Sequence, residues 1–350
     1  MTRAAGRPDG RIDGRLDGRL DGRPERRPAG RRRGRLRRTL LAGFVAAAVV
    51  VPVSAAASPD VPAPAPAALA EQTALPDRYE ANRAGIAEAA RMAREAGRTG
   101  RAAKLEAMGA EGTARFLAFD GRGRGRAVEV LGDLESADRI AVLVPGSDTT
   151  LDTYQRFRAG AVALQRHLLA GHPRSAVVAW LGYDTPGTVS PAVLSAGRAD
   201  AAAAELGPFL DRLARTAPPG ARLSLLCHSY GSVVCARTAT GPAVTDMALF
   251  GSPGTGASSA SELPTGARVW AGRGGADWIV QVPHVRLGGL GFGTDPVDPA
   301  FGARPFAAGP GGHSDYLKPG TASLDGLTRI VLGTAPIAPS TPSTPEAPHA

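Results

Sequence analysis

Ser229 is the residue whose surroundings best suit it to chemistry. An apolar run from Leu223 stops at Cys227-His228-Ser229-Tyr230-Gly231, and a helix-compatible run follows at once. A strand-to-helix turn that sharp, a nucleophile elbow, lifts a serine hydroxyl clear of a sheet. It demands small side chains two residues before and two after the serine, because the backbones crowd there. Gly231 meets that demand; Cys227 stands where glycine is commonest but is still small. A serine hydroxyl is a weak nucleophile at neutral pH. To attack a carbonyl it needs a base to take its proton and an acid to orient the base.

Elbow serines of this kind take their partners in the chain order serine, acid, histidine. The chain has six histidines. His167 and His172 precede the serine, His349 is next to the last residue, and His228 adjoins Ser229, so its ring should point away from the hydroxyl. His284 and His313 remain. His313 sits in the glycine-hinged Gly311-Gly312-His313-Ser314-Asp315-Tyr316 and is the preferred base; His284 follows the best acid by only seven residues. That acid is Asp277, the one carboxylate of Gly272-Arg273-Gly274-Gly275-Ala276-Asp277-Trp278, a loop that leaves a short strand at 268–271. Glu262 and Asp295 follow no strand directly, Asp246 precedes its strand, and Asp315 is too near His313 to face its ring. Acyl transfer also needs donors for the oxyanion: the backbone N–H of Tyr230, next after the nucleophile, and that of Ser147 in Val144-Pro145-Gly146-Ser147.

The elements that must position these residues follow from hydropathy. Residues 77–108 carry a thin apolar stripe among Arg and Glu and read as a helix or helical pair packed on the back of the domain rather than a cap over the site. Stretches 115–119 and 127–131, joined by a Gly-rich turn, predict a hairpin. Buried strands follow at 140–144, 176–181, 223–227, 247–250 and 268–271. Helices lie between them: Tyr154, Phe157, Ala161, Leu164 and Leu168 make one apolar face, and 196–213 another. Residues 284–312 are loops, and 324–332 is a last helix. Strands alternating with helices give a mainly parallel sheet covered on both faces, with its site at the carboxyl ends of the strands.

Composition sets limits on function. The formal charge is +9, but residues 1–57 hold 14 arginines against 5 acids, and the rest is balanced at 27 of each sign. No basic field is left in the folded part for nucleic acid. Residues 6–25 repeat a Gly-Arg-x-Asp/Glu unit too glycine-rich to bury anything, and read as disordered. Arg37-Arg38-Thr39-Leu40-Leu41, an apolar run to Val53 and Ser54-Ala55-Ala56-Ala57 resemble a secretory signal, of twin-arginine type. The apolar run is short of the roughly 20 residues that span a bilayer, so cleavage is expected and a membrane anchor is the alternative. Residues 58–76 read as a disordered, solvated linker, and the Pro/Thr-rich stretch 334–350 as a disordered tail. The two cysteines, Cys227 at a strand end and Cys235 beyond a helical turn, are expected to be buried free thiols, because bridged Cα atoms must lie within about 7 Å.

Several segments together resemble an α/β-hydrolase family of secreted or envelope-associated bacterial proteins of largely unassigned function. They are Val142-Leu143-Val144-Pro145-Gly146 with Thr149-Thr150-Leu151-Asp152, Val178-Ala179-Trp180-Leu181-Gly182-Tyr183, His228-Ser229-Tyr230-Gly231-Ser232, Gly251-Ser252-Pro253-Gly254, Phe301-Gly302-Ala303-Arg304 and Gly312-His313-Ser314-Asp315-Tyr316. The resemblance spans roughly 115–333 and implies an α/β-hydrolase fold over 112–333, after a helical extension at 77–111. It implies the triad Ser229, Asp277 and His313. Ser147 replaces a residue that is often apolar, and Cys227 the usual glycine, which bears on pocket shape rather than on reaction class. The expectation is an exported, cofactor-free and metal-free serine hydrolase of small-molecule or lipid carboxylic esters, handed to the export machinery by its leader and able to make peripheral contact with the cell envelope. An acyltransferase, peptidase or thioesterase with the same triad, or a catalytically silent binding protein on the same fold, are the alternatives.

Overall fold

The computed structural model describes residues 61–110 and 114–336. The repeat, the leader expected to act as an export signal, and the tail beyond 336 lie outside the described residues.

Eight strands form one sheet: β1 (Arg115–Asp120), β2 (Arg126–Leu131), β3 (Arg139–Val144), β4 (Ser175–Leu181), β5 (Arg222–His228), β6 (Val244–Phe250), β7 (Arg268–Gly272) and β8 (Arg304–Pro305). Their order is β1-β2-β4-β3-β5-β6-β7-β8. The β1–β2 hairpin joins antiparallel to β4, and every later pairing is parallel. The two-residue β8 was not expected from sequence, being too short to leave a hydropathy signal.

Strand β3 shows how the sheet is buried. Ile140, Val142 and Val144 point into one core with Leu206, Leu210 and Leu213 of α4 (Gly197–Thr216). Ala141 and Leu143 point into the other, with Leu164 and Leu168 of α3 (Tyr154–Gly171) and Leu327 and Ile330 of α6 (Ala322–Leu332). A strand covered on both faces must be apolar at every position, which is why β3 reads as a continuous run. The short helix α5 (Tyr230–Cys235) follows β5 directly, and all six of its residues are buried.

The helical extension is two helices, α1 (Leu75–Glu95) and α2 (Thr99–Gly109). Their apolar stripe (Ile86, Ala89, Ala90, Leu105, Met108) packs on Phe116 and Phe119 of β1 and on Leu151 and Tyr154. The pair is fixed by Arg101, whose side chain is 4% exposed and donates to both carboxylate oxygens of Asp152 (2.7 and 2.9 Å) and to the carbonyls of Gly121 and Gly123.

Two expectations need correction. The stretch 61–74 takes no regular helix or strand, yet it is not wholly solvated. Ala63 packs with the α1–β1 core, and a side chain at Gly121 would meet Ala63 at 2.8 Å and Ala89 at 3.0 Å. Short Ala and Pro side chains follow the surface closely, so composition alone did not make this segment a free linker. Cys227 and Cys235 are not free thiols; they form a disulfide with Cα atoms 6.4 Å apart. Chain distance was the wrong guide. The elbow reverses direction at Ser229, so α5 runs back alongside the end of β5 and brings the two sulfurs together.

Both cysteines are fully buried, and their bridge closes a short loop around the elbow. Replacing the pair as Cys227→Ala/Cys235→Ala should lower the unfolding free energy by about 2–3 kcal/mol, read as a lower denaturant midpoint.

Candidate active site

Ser229 occupies the turn between β5 and α5 with φ 53° and ψ −126°. Among the described residues, only it and Asp148 hold a positive φ without being glycine. Such a backbone costs on the order of 1–3 kcal/mol and persists only where its surroundings over-determine it. Here they do. The Ser229 N–H donates to the Phe250 carbonyl (2.9 Å), and the Ser232 hydroxyl donates to the Ser229 carbonyl (2.6 Å). Ser232 is in turn 2.6 Å from Ser252 Oγ. The turn is also too crowded for side chains. A Cβ on Gly231 would lie 2.6 Å from the Val144 carbonyl, and one on Gly146 would lie 2.6 Å from Ser229 Cβ.

The structure brings together the three residues singled out by type and chain order. Ser229 Oγ lies 2.9 Å from His313 Nε2, and His313 Nδ1 lies 2.8 Å from Asp277 Oδ1. The serine hydroxyl can donate to Nε2 while Nδ1–H donates to the carboxylate, which is the tautomer a general base needs. The Ser229 side chain reaches a cavity of about 900 Å³ that His313 also lines. Asp277 is 1% exposed. Burial alone would raise its pKa, but hydrogen bonds from His313, Tyr316 and the Ile279 N–H outweigh burial and hold it below the usual value. The carboxylate therefore stays charged, able to fix the imidazole and to stabilise an imidazolium.

Three supports around this set were not recognised from sequence. Tyr316 donates its hydroxyl to Asp277 Oδ2 at 2.5 Å and accepts the Gly274 N–H at 3.0 Å. Burial and the neighbouring carboxylate both push the Tyr316 phenol far up, so it remains a donor. The signal was present in the spacing of Gly312-His313-Ser314-Asp315-Tyr316, three residues from base to support. Gly251 is the second. At φ +58° it faces the set so closely that a Cβ would meet Asp277 Oδ2 at 3.1 Å and the His313 ring at 3.3 Å. His228 is the third. Its Nε2–H donates to the main-chain carbonyl of His313 at 2.8 Å, and its ring lies 4.8 Å from the His313 ring. Burial first, and the neighbouring His313 second, lower the His228 pKa to about 4, which leaves it neutral at ordinary pH. Trp278 covers the base from another side, with ring centroids 4.5 Å apart.

The remaining candidates are engaged elsewhere. His284 faces the Ser252 carbonyl (3.5 Å) and Asp295 (3.6 Å). Asp295 also pairs with Arg273. Glu262 accepts the Ser258 N–H, and Asp315 accepts the Gly312 N–H and pairs with Lys318. Asp246, at the opposite end of its strand from the site, binds Arg268 and the Trp270 indole.

Tyr230 and Ser147, expected to offer backbone N–H groups, both line the cavity beside Ser229. The Tyr230 phenol is engaged by the Ser195 carbonyl (2.7 Å) and the Ala199 N–H (3.2 Å). The loop carrying Ser147 is pinned at Pro145, whose carbonyl accepts the Tyr183 hydroxyl (2.7 Å), and at Asp148. Asp148, at φ 58°, donates its N–H to the Pro186 carbonyl and accepts the Thr188 N–H on its carboxylate. No group of three or more His, Cys, Asp or Glu among the described residues could hold a metal ion. The arrangement can do base-assisted nucleophilic attack by a hydroxyl on a carbonyl carbon.

Residues 120–287 match a family described as "Alpha/beta hydrolase". Over 253 residues the chain is 30% identical to an uncharacterized protein of Mycobacterium tuberculosis, covering 60% of this chain and 37% of that one. It is 33% identical over 144 residues to an uncharacterized protein of Mycobacterium bovis, covering 38% of this chain and 54% of the relative. The chain thus matches between about a third and about a half of the length of these curated relatives. Among solved structures it is similar to esterase LipW from Mycobacterium marinum (TM-score 0.41, 15% identity, 70% of this chain and 88% of that one). It is also similar to esterase PE8 (TM-score 0.41, 18% identity, 59% of this chain and 97% of that one).

The part-buried, neutral His228 makes a pH prediction. Its folded pKa (about 4) lies below the ordinary 6.5, so the unfolded chain takes up the proton first. The stability that neutral His228 contributes is whole above pH 6.5 and is lost as pH falls towards 4. The full loss is about 3 kcal/mol by that shift. Melting temperature should fall with acid across this window, and His228→Gln should flatten the slope.

Proposed function

We propose that the chain is a serine hydrolase of carboxylic esters, a reading supported by the match of residues 120–287 to a family described as alpha/beta hydrolase. The observation that carries this reading is the unbroken line Ser229 Oγ to His313 Nε2 at 2.9 Å and His313 Nδ1 to Asp277 at 2.8 Å. Ser229 attacks the ester carbonyl as His313 takes its proton, and the backbone N–H groups of Tyr230 and Ser147 receive the negative charge on the carbonyl oxygen. His313 then returns the proton to the leaving alcohol, and water, activated by the same imidazole, releases the acid from the acyl-enzyme. Asp277 and Tyr316 hold the imidazole in register throughout. No cofactor enters any of these steps.

We further propose that the protein works outside the cytoplasm. Two features support this: the basic, then apolar, then small-residue leader, and a buried disulfide at the elbow, which forms and lasts in an oxidising compartment.

The test is active-site labelling with a fluorophosphonate, alongside ester turnover. Ser229→Ala should abolish labelling and lower turnover by about 10⁶-fold, with His313→Ala nearly as damaging. Wild-type turnover in Ser229→Ala, or normal activity in His313→Ala with an inactive His284→Ala, would reject the assignment. Tyr316→Phe should lower kcat by about tenfold with little change in KM, since one charge-assisted hydrogen bond to Asp277 is lost away from the substrate.

A further inference from the structure

The cavity at Ser229 is far larger than a short ester needs. It measures about 900 Å³, and Phe157, Val193, Leu194, Val282, Phe292 and Leu317 are among its walls. At the roughly 30 Å³ that a water-sized group occupies in a liquid, that volume holds a dodecanoyl chain together with its alcohol. An acetyl or butyryl group would leave most of the apolar wall against water.

The mouth of this cavity is where the protein exposes its apolar side chains. Eight large hydrophobic residues are exposed among the described residues. All but Leu169 line the cavity or stand next in sequence to a residue that does. Val189 is 75% exposed, Val285 61% and Leu287 82%, with Leu194, Val280 and Leu290 about half exposed. Single exposed apolar residues are ordinary, but seven gathered at one opening are not. The segments that carry them are joined. Ser195 pairs with Leu290, and the Gly291 N–H donates to the Leu194 carbonyl at 2.9 Å. The two segments that carry them are nearly free of charge, while Asp148, Arg156 and Lys318 line other parts of the cavity. Residues 185–196 contain no charged side chain, and in 278–292 the one arginine, Arg286, is drawn to the Gly256 carbonyl.

We infer that the substrate is a lipid ester with a long acyl chain, and that the apolar rim settles on a lipid surface to receive it. This rests on the serine-hydrolase reading for its chemistry, but the surface contact stands independently of it. Continuity decides the occupant. The exposed rim passes directly into the apolar cavity wall, so an acyl chain can leave a lipid aggregate for Ser229 without crossing water. A second copy of this chain or a protein partner seated on the rim would cover the surface that the acyl chain has to cross. Each methylene taken into the cavity is worth about fourfold in binding, so chain length should be read out strongly in kcat/KM.

The experiment has two arms. In the first, kcat/KM of the wild type is measured on nitrophenyl esters from acetyl to dodecanoyl; it should rise at least tenfold along the series, and a maximum at acetyl or butyryl overturns the long-chain substrate. In the second, catalytically dead Ser229→Ala is floated with phosphatidylcholine vesicles. It should bind, and adding Val189→Asp/Val280→Asp, neither of which lines the cavity, should weaken binding at least tenfold. In the Ser229 background that pair should keep acetyl-ester turnover within about twofold and lose turnover of a dodecanoyl ester held in the same vesicles. Failure of Ser229→Ala to float, binding to anionic vesicles alone, an equal fall on both esters, or a dimer that the aspartates dissociate would each overturn the surface contact. Absence of fluorophosphonate labelling rejects the serine chemistry instead and leaves the flotation result to be read by itself.

Discussion

The whole site depends on a backbone that has no room for anything but itself. Ser229 is held at φ 53° in a turn where Gly231 meets the carbonyls of Val144 and Pro145 and Gly146 meets the serine's own Cβ. Any larger side chain at these two glycines would push β3 and β5 apart, and the register between them is what sets the carboxyl ends of both strands at one level: Val144 pairs with Cys227. The strain at Ser229 is offset by the parallel sheet beneath it, which is buried on both faces, and by the disulfide that ties the last turn of α5 to the strand. Ser229 is therefore presented by rigid elements, and the loops need only bring the other groups to it.

Those loops arrive under mutual restraint. Asp277 leaves β7, His313 comes from a loop before α6, and neither has a strand to fix it directly. Each is tied to a neighbour, and the base to one that does. Asp277 is held by the Ile279 N–H and by Tyr316; the main chain at His313 is held by His228, which stands next to Ser229 on the end of β5. Serine, base and acid are thus linked twice, once through side chains and once through the frame behind them. His228 can serve in this frame only as a neutral donor, and burial keeps it so. Charging it would place a second cation against His313 just where a base must accept a proton.

Much of this was legible in the sequence, and the reasons for what was not are specific. The strands β3, β4 and β5 and the helix α3 announced themselves by hydropathy, because burial on two faces or one stripe leaves a periodic trace. Ser229, Asp277 and His313 could be placed by residue type, local glycines and chain order, since each follows a sheet strand or a glycine hinge. The disulfide could not, because the reasoning treated strand and helix as continuing away from each other, whereas the elbow folds one back on the other. Tyr316 and His228 sat inside motifs already in view, but a support is recognisable only when its hydrogen-bond partner is known, and those partners lie 39 and 85 residues away along the chain. Ala63 escaped for the reverse reason: a Pro/Ala stretch has too little side chain to signal whether it is packed.

The two sides of the cavity are built to different specifications. On the nucleophile side nearly every side chain of β5 and α5 is buried, and backbone hydrogen bonds and the disulfide leave little freedom. On the opposite side, residues 284–291 include Gly288, Gly289 and Gly291, bury no side chain fully, and are joined to the body by a few main-chain bonds such as Gly291 to Leu194. Segments with few buried contacts open at low free-energy cost. That division fixes the groups around Ser229 and leaves the wall at 284–291 more lightly held. It also explains why the chain tolerates exposed leucines and valines there.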